Sequence, residues 1–125
     1  MYRTILLIDD DPDDIEILQD AIASLGQKQI FQTAGSRAQV LELLQHIQTL
    51  PDLVFLDLNM PGVIGTELLQ KLKSSEATSA IPIVLYSTHT KEVMQQIARP
   101  FEPEHYIQKP SDYKELVRLV KDIIN

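Results

Sequence analysis

Three short apolar runs in this chain stop abruptly at oxygen-bearing side chains. Ile5-Leu6-Leu7-Ile8 ends in Asp9-Asp10-Asp11, and Leu53-Val54-Phe55-Leu56 ends in Asp57. Ile81-Pro82-Ile83-Val84-Leu85 runs through Tyr86 into Ser87-Thr88. Brief, unbroken apolar runs read as strands buried on both faces, the signature of a parallel sheet. In open α/β sheets the carboxyl ends of such strands form the ligand crevice. Carboxylates gathered there repel one another unless positive charge stands between them. The pattern therefore predicts a site, and a cation site.

The rest of the chain alternates helix and strand around these runs. Residues 4–9 are predicted as the first strand and 12–25 as a helix. Asp11 serves as the helix N-cap, Pro12 as its first residue and Gly26 as the stop just past its end. Ile15, Leu18, Ile22 and Leu25 recur at helical spacing. Residues 29–34 form a weaker strand. A helix starts at Ser36, gathers Val40, Leu43, Leu44 and Ile47 on one face, and is closed off by Pro51. Residues 52–57 are the third strand, and a loop with Pro61, Gly62 and Gly65 leads into a helix over about 65–74. Strand 81–87, helix 90–98, a stiff connection between Pro100 and Pro103, strand 104–108 and an amphipathic helix over 111–124 complete the series. Leu116, Leu119, Val120, Ile123 and Ile124 line the last helix. Right-handed crossovers place such helices on both faces of a five-stranded parallel sheet.

The length of 125 residues fits one domain with a single sizeable core. A net charge of −7 argues against nucleic acid or anionic membrane as a direct partner. With no cysteine there is neither a disulfide framework nor a thiolate metal site, which suits a reducing, cytoplasmic setting. No apolar stretch is long enough to span a bilayer, and no secretory signal pattern opens the chain.

Each member of the predicted constellation comes from the same edge: Asp9 and Asp10 after strand one, Asp57 after strand three, Ser87 after strand four, Lys109-Pro110 after strand five. Together with Asp57-Leu58-Asn59-Met60-Pro61 and Gly65, these residues stand in the order and spacing of a known family. The chain resembles the receiver domain of two-component response regulators, in its single-domain form, over essentially its whole length. The resemblance implies a flavodoxin-like, doubly wound α/β fold with strand order 2-1-3-4-5 and five helices. It implies one receiver domain over residues 1–125 with no output domain.

It further implies that Asp57 accepts a phosphoryl group from a sensor histidine kinase or a histidine phosphotransfer protein. Mg2+ or Mn2+ would be held by Asp10, Asp57 and the Asn59 carbonyl, with Asp9 acting through water. Phosphoryl transfer needs positioning and charge stabilisation more than a strong nucleophile, so a carboxylate suffices. Lys109 would give a point charge to one phosphoryl oxygen and Ser87 a hydroxyl to another, with Thr88 narrowing access. Tyr106 stands where the family carries a switching aromatic ring, which would reshape the surface of helix four, strand five and helix five. Asn59 and His89 would tune dephosphorylation, against a plainer reading of His89 as a solvated residue at a helix start.

On this reading the protein is a phosphorylation-controlled signalling module, not an enzyme in the ordinary sense, that assists its own phosphorylation and dephosphorylation. Its downstream protein is open, and a weak homodimer is allowed. Two alternatives stand beside it: a receiver fold that binds partners without phosphorylation, and an aspartyl-phosphate phosphohydrolase. The second lacks the later acidic pair and cap insertion that its substrate chemistry needs.

Three local readings remain. Asp13 and Asp14 are expected as a solvated helix start. Ser111 is expected as the N-cap of the last helix. Arg99-Pro100-Phe101-Glu102-Pro103-Glu104-His105 replaces the small Gly-Ala element usual before strand five, so the output surface is where departure from the family's shape is expected.

Overall fold

Five parallel strands form one sheet in the order β2-β1-β3-β4-β5 in the computed structural model, which describes residues 2–46, 50–60 and 64–125. The strands are β1 (Thr4–Ile8), β2 (Ile30–Ala34), β3 (Leu53–Asp57), β4 (Ile83–Ser87) and β5 (His105–Gln108). The helices are α1 (Pro12–Ala23), α2 (Arg37–Leu44), α3 (Ile64–Ser74), α4 (Lys91–Ala98) and α5 (Tyr113–Ile124). The expected elements are all present, most of them trimmed by a residue or two at an end. Ile47, Pro61 and Gly62 lie outside the described residues.

Local chemistry accounts for the helix starts. The Asp11 side chain accepts from the Asp13 N–H with Pro12 following, Ser36 accepts from Gln39, and Thr90 accepts from Val93. Each satisfies one of the amide donors that a helix start leaves free. Gly26, past the end of α1, takes φ +83°, a left-handed conformation cheap only for glycine. The last helix corrects the sequence reading. Asp112 caps it, accepting from the Lys114 N–H, so Ser111 stands one position outside the cap.

Strand alternation divides the core in two. Ile5, Leu7, Leu53, Phe55, Val84, Tyr86 and Ile107 face α1 and α5, where Leu18, Ala21, Ile22, Leu116, Val120 and Ile124 meet them. Leu6, Ile8, Val54, Leu56, Ile83 and Leu85 face the other way, against Val40 of α2, Leu68, Leu69 and Leu72 of α3, and Met94 and Ala98 of α4. Every residue of β3 and β4 is buried, which explains why these runs read as unbroken apolar sequence. Full burial of each large apolar side chain among them stabilises the fold by about 1.5–3 kcal/mol.

Gly65, in the first turn of α3, lets that helix approach the end of β3. A methyl group there would stand 3.0 Å from the Leu58 Cα and 3.1 Å from the Asp57 carbonyl oxygen. Both are backbone atoms and yield poorly. Overpacking of this kind costs about 1–3 kcal/mol, against the roughly 1 kcal/mol that alanine gains over glycine inside a helix. Gly65→Ala is expected to lower stability in urea by about 1 kcal/mol and to shift the amide resonances of Asp57, Leu58 and Asn59. Unmoved resonances and unchanged stability would show that the α3 approach is not tight.

Candidate functional site

The alternation that builds the core also aims the site. One face carries Ile5 and Leu7, Leu53 and Phe55, Val84 and Tyr86, and Ile107. Two residues further along three of these strands come Asp9, Asp57 and Lys109. The register pairs Ile8 with Leu56, so Asp9 and Asp57 emerge side by side at the carboxyl edge. Both are almost fully buried, at 4% and 2% exposure, whereas Asp10 faces solvent.

Each buried carboxylate is fixed by its own turn. The Asp11 N–H donates to Asp9 Oδ1 at 2.9 Å, and the Asn59 N–H donates to Asp57 Oδ1 at 2.8 Å. The second oxygens face Lys109, whose Nζ lies 3.0 Å from Asp9 Oδ2 and 3.5 Å from Asp57 Oδ2. A third carboxylate, Asp14 of α1, accepts from the same ammonium at 2.9 Å. Asp14 is therefore not the solvated helix-start residue expected from the sequence; only Asp13 is. The ammonium also lies 5.0 Å from the centre of the Tyr86 ring, a cation–π contact. The Lys109 N–H donates to the Ser87 carbonyl at 2.7 Å, which ties its backbone to the end of β4.

Electrostatics follow from this packing. Burial raises the Asp57 pKa from 3.8 to about 6; the Asn59 N–H and Lys109 oppose the rise, and Asp9 adds to it. Burial works against the Lys109 ammonium, yet its pKa rises, because hydrogen bonds to Asp14 and Asp9 and the charge of Asp57 outweigh desolvation. Burial pushes the Tyr86 phenol up to about 12, so it stays protonated beside the acids.

The remaining candidates form a second group around Asn59. Ser87, fully buried, donates its hydroxyl to Asn59 Oδ1 at 2.7 Å. The same oxygen accepts from the Thr88 N–H at 2.8 Å and the Thr88 hydroxyl at 3.2 Å. His89 donates its N–H to Ser87 Oγ at 3.1 Å, and its Nε2 lies 3.5 Å from Asn59 Nδ2. Tyr106 is apart from both groups. It pairs in register with Leu85 on the α3–α4 face and borders a groove of about 660 Å³ with Gln95, Arg99 and Pro103. The Asn59 side chain and Asp14 are the two functional contacts that sequence reasoning missed. Asp14 had a signal: it stands in the first turn of α1, three residues after the Asp11 cap and close to the strand edge.

Carboxylate oxygens of Asp9, Asp10 and Asp57 lie within 4.8 Å of one another. An all-oxygen set of this charge and size fits a hard divalent cation, which prefers oxygen ligands and keeps waters. The donor set therefore suits a metal ion of the Mg2+ or Mn2+ kind. Among the described residues no helix is long and apolar enough to cross a membrane.

A family model described as "Response regulator receiver domain" matches residues 5–121. The DNA-binding response regulator MtrA of Mycolicibacterium smegmatis is 34% identical over 123 residues, covering 97% of this chain and 50% of that protein. The chain thus spans about half the length of this relative. The phosphorylated cyanobacterial phytochrome response regulator RcpA superposes with a TM-score of 0.85 at 28% identity, over 98% of this chain and 91% of that one. The Mn2+-bound form of the response regulator Rcp1 shares the fold, with a TM-score of 0.82 at 24% identity over 97% and 91% of the two chains.

The raised Asp57 pKa has a stability consequence of definite sign. A carboxyl that binds its proton more tightly when folded destabilises the fold once it ionises. The cost is absent below about pH 4, grows as pH rises towards 6 and is constant above that. A shift of this size is worth on the order of 3 kcal/mol. Asp57→Asn, in chelator, is expected to stabilise the protein by about that amount at neutral pH and to make no difference near pH 4. Denaturation curves at both pH values check this; a gap that is equal at the two would assign the gain to something other than ionisation.

Proposed function

Because the chain belongs to the response regulator receiver family, its function is phosphorylation-based signalling, and we propose that Asp57 carries the phosphoryl group. The observation that carries this reading is the state of the Asp57 carboxylate: buried, held at one oxygen by the Asn59 N–H, and facing the Lys109 ammonium beside Asp9.

Receiver domains of this family interact with histidine kinases and with downstream effectors. Here the donor is a sensor histidine kinase or a histidine phosphotransfer protein in the cytoplasm. An oxygen of Asp57 attacks the phosphorus of the donor's phosphohistidine. The P–N bond breaks, its electrons return to the imidazole, and an acyl phosphate forms. A pKa near 6 keeps the acceptor largely ionised at neutral pH while making it more basic than an exposed aspartate. Lys109 turns part of its charge from the carboxylates to a phosphoryl oxygen. Asp9, Asp10, Asp57 and the Asn59 carbonyl would hold Mg2+ or Mn2+. When bound, that ion supplies the positive charge that draws the donor's phosphoryl oxygens to the acidic edge.

The Ser87 hydroxyl has one proton, and it is engaged with Asn59. Donating that proton to a phosphoryl oxygen requires leaving Asn59, so the Asn59–Ser87 bond defines the resting position of the switch. Ser87 and Tyr106 belong to the same face of adjacent strands; Tyr106 is in register with Leu85, two residues before Ser87. Movement of Ser87 opens space into which the Tyr106 ring can turn, reshaping the α4–β5–α5 surface. Taking the resting form from 99% to 1% of the population needs about 5.5 kcal/mol of preference. Several charge-assisted hydrogen bonds supply energies of that order. A receiver that works without phosphorylation has no call for a buried acceptor held in this way, and no feature of the site favours a phosphohydrolase.

Acetyl phosphate with Mg2+ is expected to add a single phosphate by intact mass, and Asp57→Asn or EDTA to abolish it. An adduct that persists in Asp57→Asn places the acceptor elsewhere. His89 flanks Asn59, so His89→Ala is expected to expose the acyl phosphate to water and shorten the adduct's lifetime; an unaltered decay rate returns His89 to a solvated helix-start role.

A further inference from the structure

Lys109 has three ammonium protons and three carboxylates around it, and the three are not served equally. Asp14 Oδ2 and Asp9 Oδ2 lie within hydrogen-bond distance, at 2.9 and 3.0 Å, while Asp57 Oδ2 stands off at 3.5 Å. The proposed acceptor thus receives the weakest share of the ammonium that all three carboxylates face. Asp14 comes from the first turn of α1, outside the Asp9, Asp10 and Asp57 cluster. Its side chain is 35% exposed, against 6% for Asp9. The difference matters. Pulling Lys109 off Asp9 leaves a buried charge without its counterion, whereas an Asp14 carboxylate left behind rehydrates at little cost.

We propose that Asp14 is a positioning residue that berths Lys109 in the resting protein, holding the ammonium back from Asp57 until a phosphoryl group arrives. The inference rests on the receiver reading of Asp57. Two consequences follow, of opposite sign. While Lys109 is shared with Asp14, it competes less for the oxygens of Asp9 and Asp57 that a divalent cation needs. Once the cation is in place, the same sharing taxes the arrival of an anion, because Lys109 must first be released. Asp14 therefore favours metal binding and opposes anion binding.

Asp14→Asn removes the berth, and Asp13→Asn removes an equal charge from the neighbouring exposed position. Asp14→Glu keeps a carboxylate that can still reach the ammonium. Mg2+ affinity is measured by calorimetry without phosphoryl donor, and beryllofluoride affinity by amide NMR titration at saturating Mg2+. For a partly exposed ion pair the expected change is roughly two- to fivefold. Asp14→Asn is expected to weaken Mg2+ and tighten beryllofluoride by such factors, Asp13→Asn to move both far less, and Asp14→Glu to restore wild-type values. Equal shifts in Asp13→Asn and Asp14→Asn overturn the berth in favour of a general field. So does an Asp14→Asn protein that matches wild type in both titrations. A wild-type protein that takes up no beryllofluoride at saturating Mg2+ instead overturns the receiver reading of Asp57 itself.

Discussion

One ammonium among buried carboxylates is the interaction on which the rest of this molecule depends. Asp9 and Asp57 stand side by side at the carboxyl ends of two adjacent interior strands, with almost no contact with water. Two carboxylates so placed would each carry a desolvation penalty of several kcal/mol and repel one another besides. Two amide donors, from Asp11 and Asn59, and the Lys109 ammonium offset these costs. The counterion arrives from the end of β5, the last strand in the chain. The acidic centre is thus completed only when the final βα unit docks. Fold and site form a single electrostatic arrangement.

The parallel sheet distributes the work between its faces. Along one face the apolar residues of β1, β3 and β5 are continued by Asp9, Asp57 and Lys109, beside α1 and α5. Along the other, Ile83 and Leu85 are continued by Ser87, with Tyr106 in register beside Leu85. The charged groups and the Ser87 hydroxyl therefore share an edge while facing different helices. Asn59 joins them: its backbone N–H holds Asp57, and its side-chain oxygen holds Ser87 and Thr88. One residue thus links the Asp57 carboxylate to the hydroxyl on the opposite face.

Much of this was legible in the sequence because it is written in strong local signals. Fully buried strands cannot alternate, so β1, β3 and β4 announce themselves as apolar runs, and their polar ends mark the edge. The caps at Asp11 and Ser36 are equally local. What escaped depends on rotamers and on distance along the chain. Asp14 looks like any acid favouring a helix start; its pairing with Lys109, 95 residues away, exists only once α1 lies over the sheet edge. Asn59 was read for its carbonyl and for water chemistry, while its side chain is occupied by Ser87 and Thr88. Ser111 and Asp112 are both good caps, and the choice between them turns on where Pro110 lets the helix begin.

The segment before β5, where the sequence reading expects a departure from the family's shape, is held by specific packing. Arg99–Phe101 form a turn of 3₁₀ helix, and Glu102 follows in a left-handed conformation at φ 49°, which for a residue with a Cβ costs roughly 1–2 kcal/mol. Glu104 then anchors the chain: its carboxylate accepts from Lys73 of α3 at 2.6 and 2.7 Å and from the Ile83 N–H at 2.8 Å. Lys109 anchors the other end through its backbone bond to Ser87 and its ion pairs. Tyr106 lies between these two fixed points, on a strand of only four residues. A strand pinned at both ends resists sliding along its neighbour. Between those anchors Tyr106 is half-buried and its ring borders an open groove, so side-chain rotation there is less restrained than movement of the strand itself.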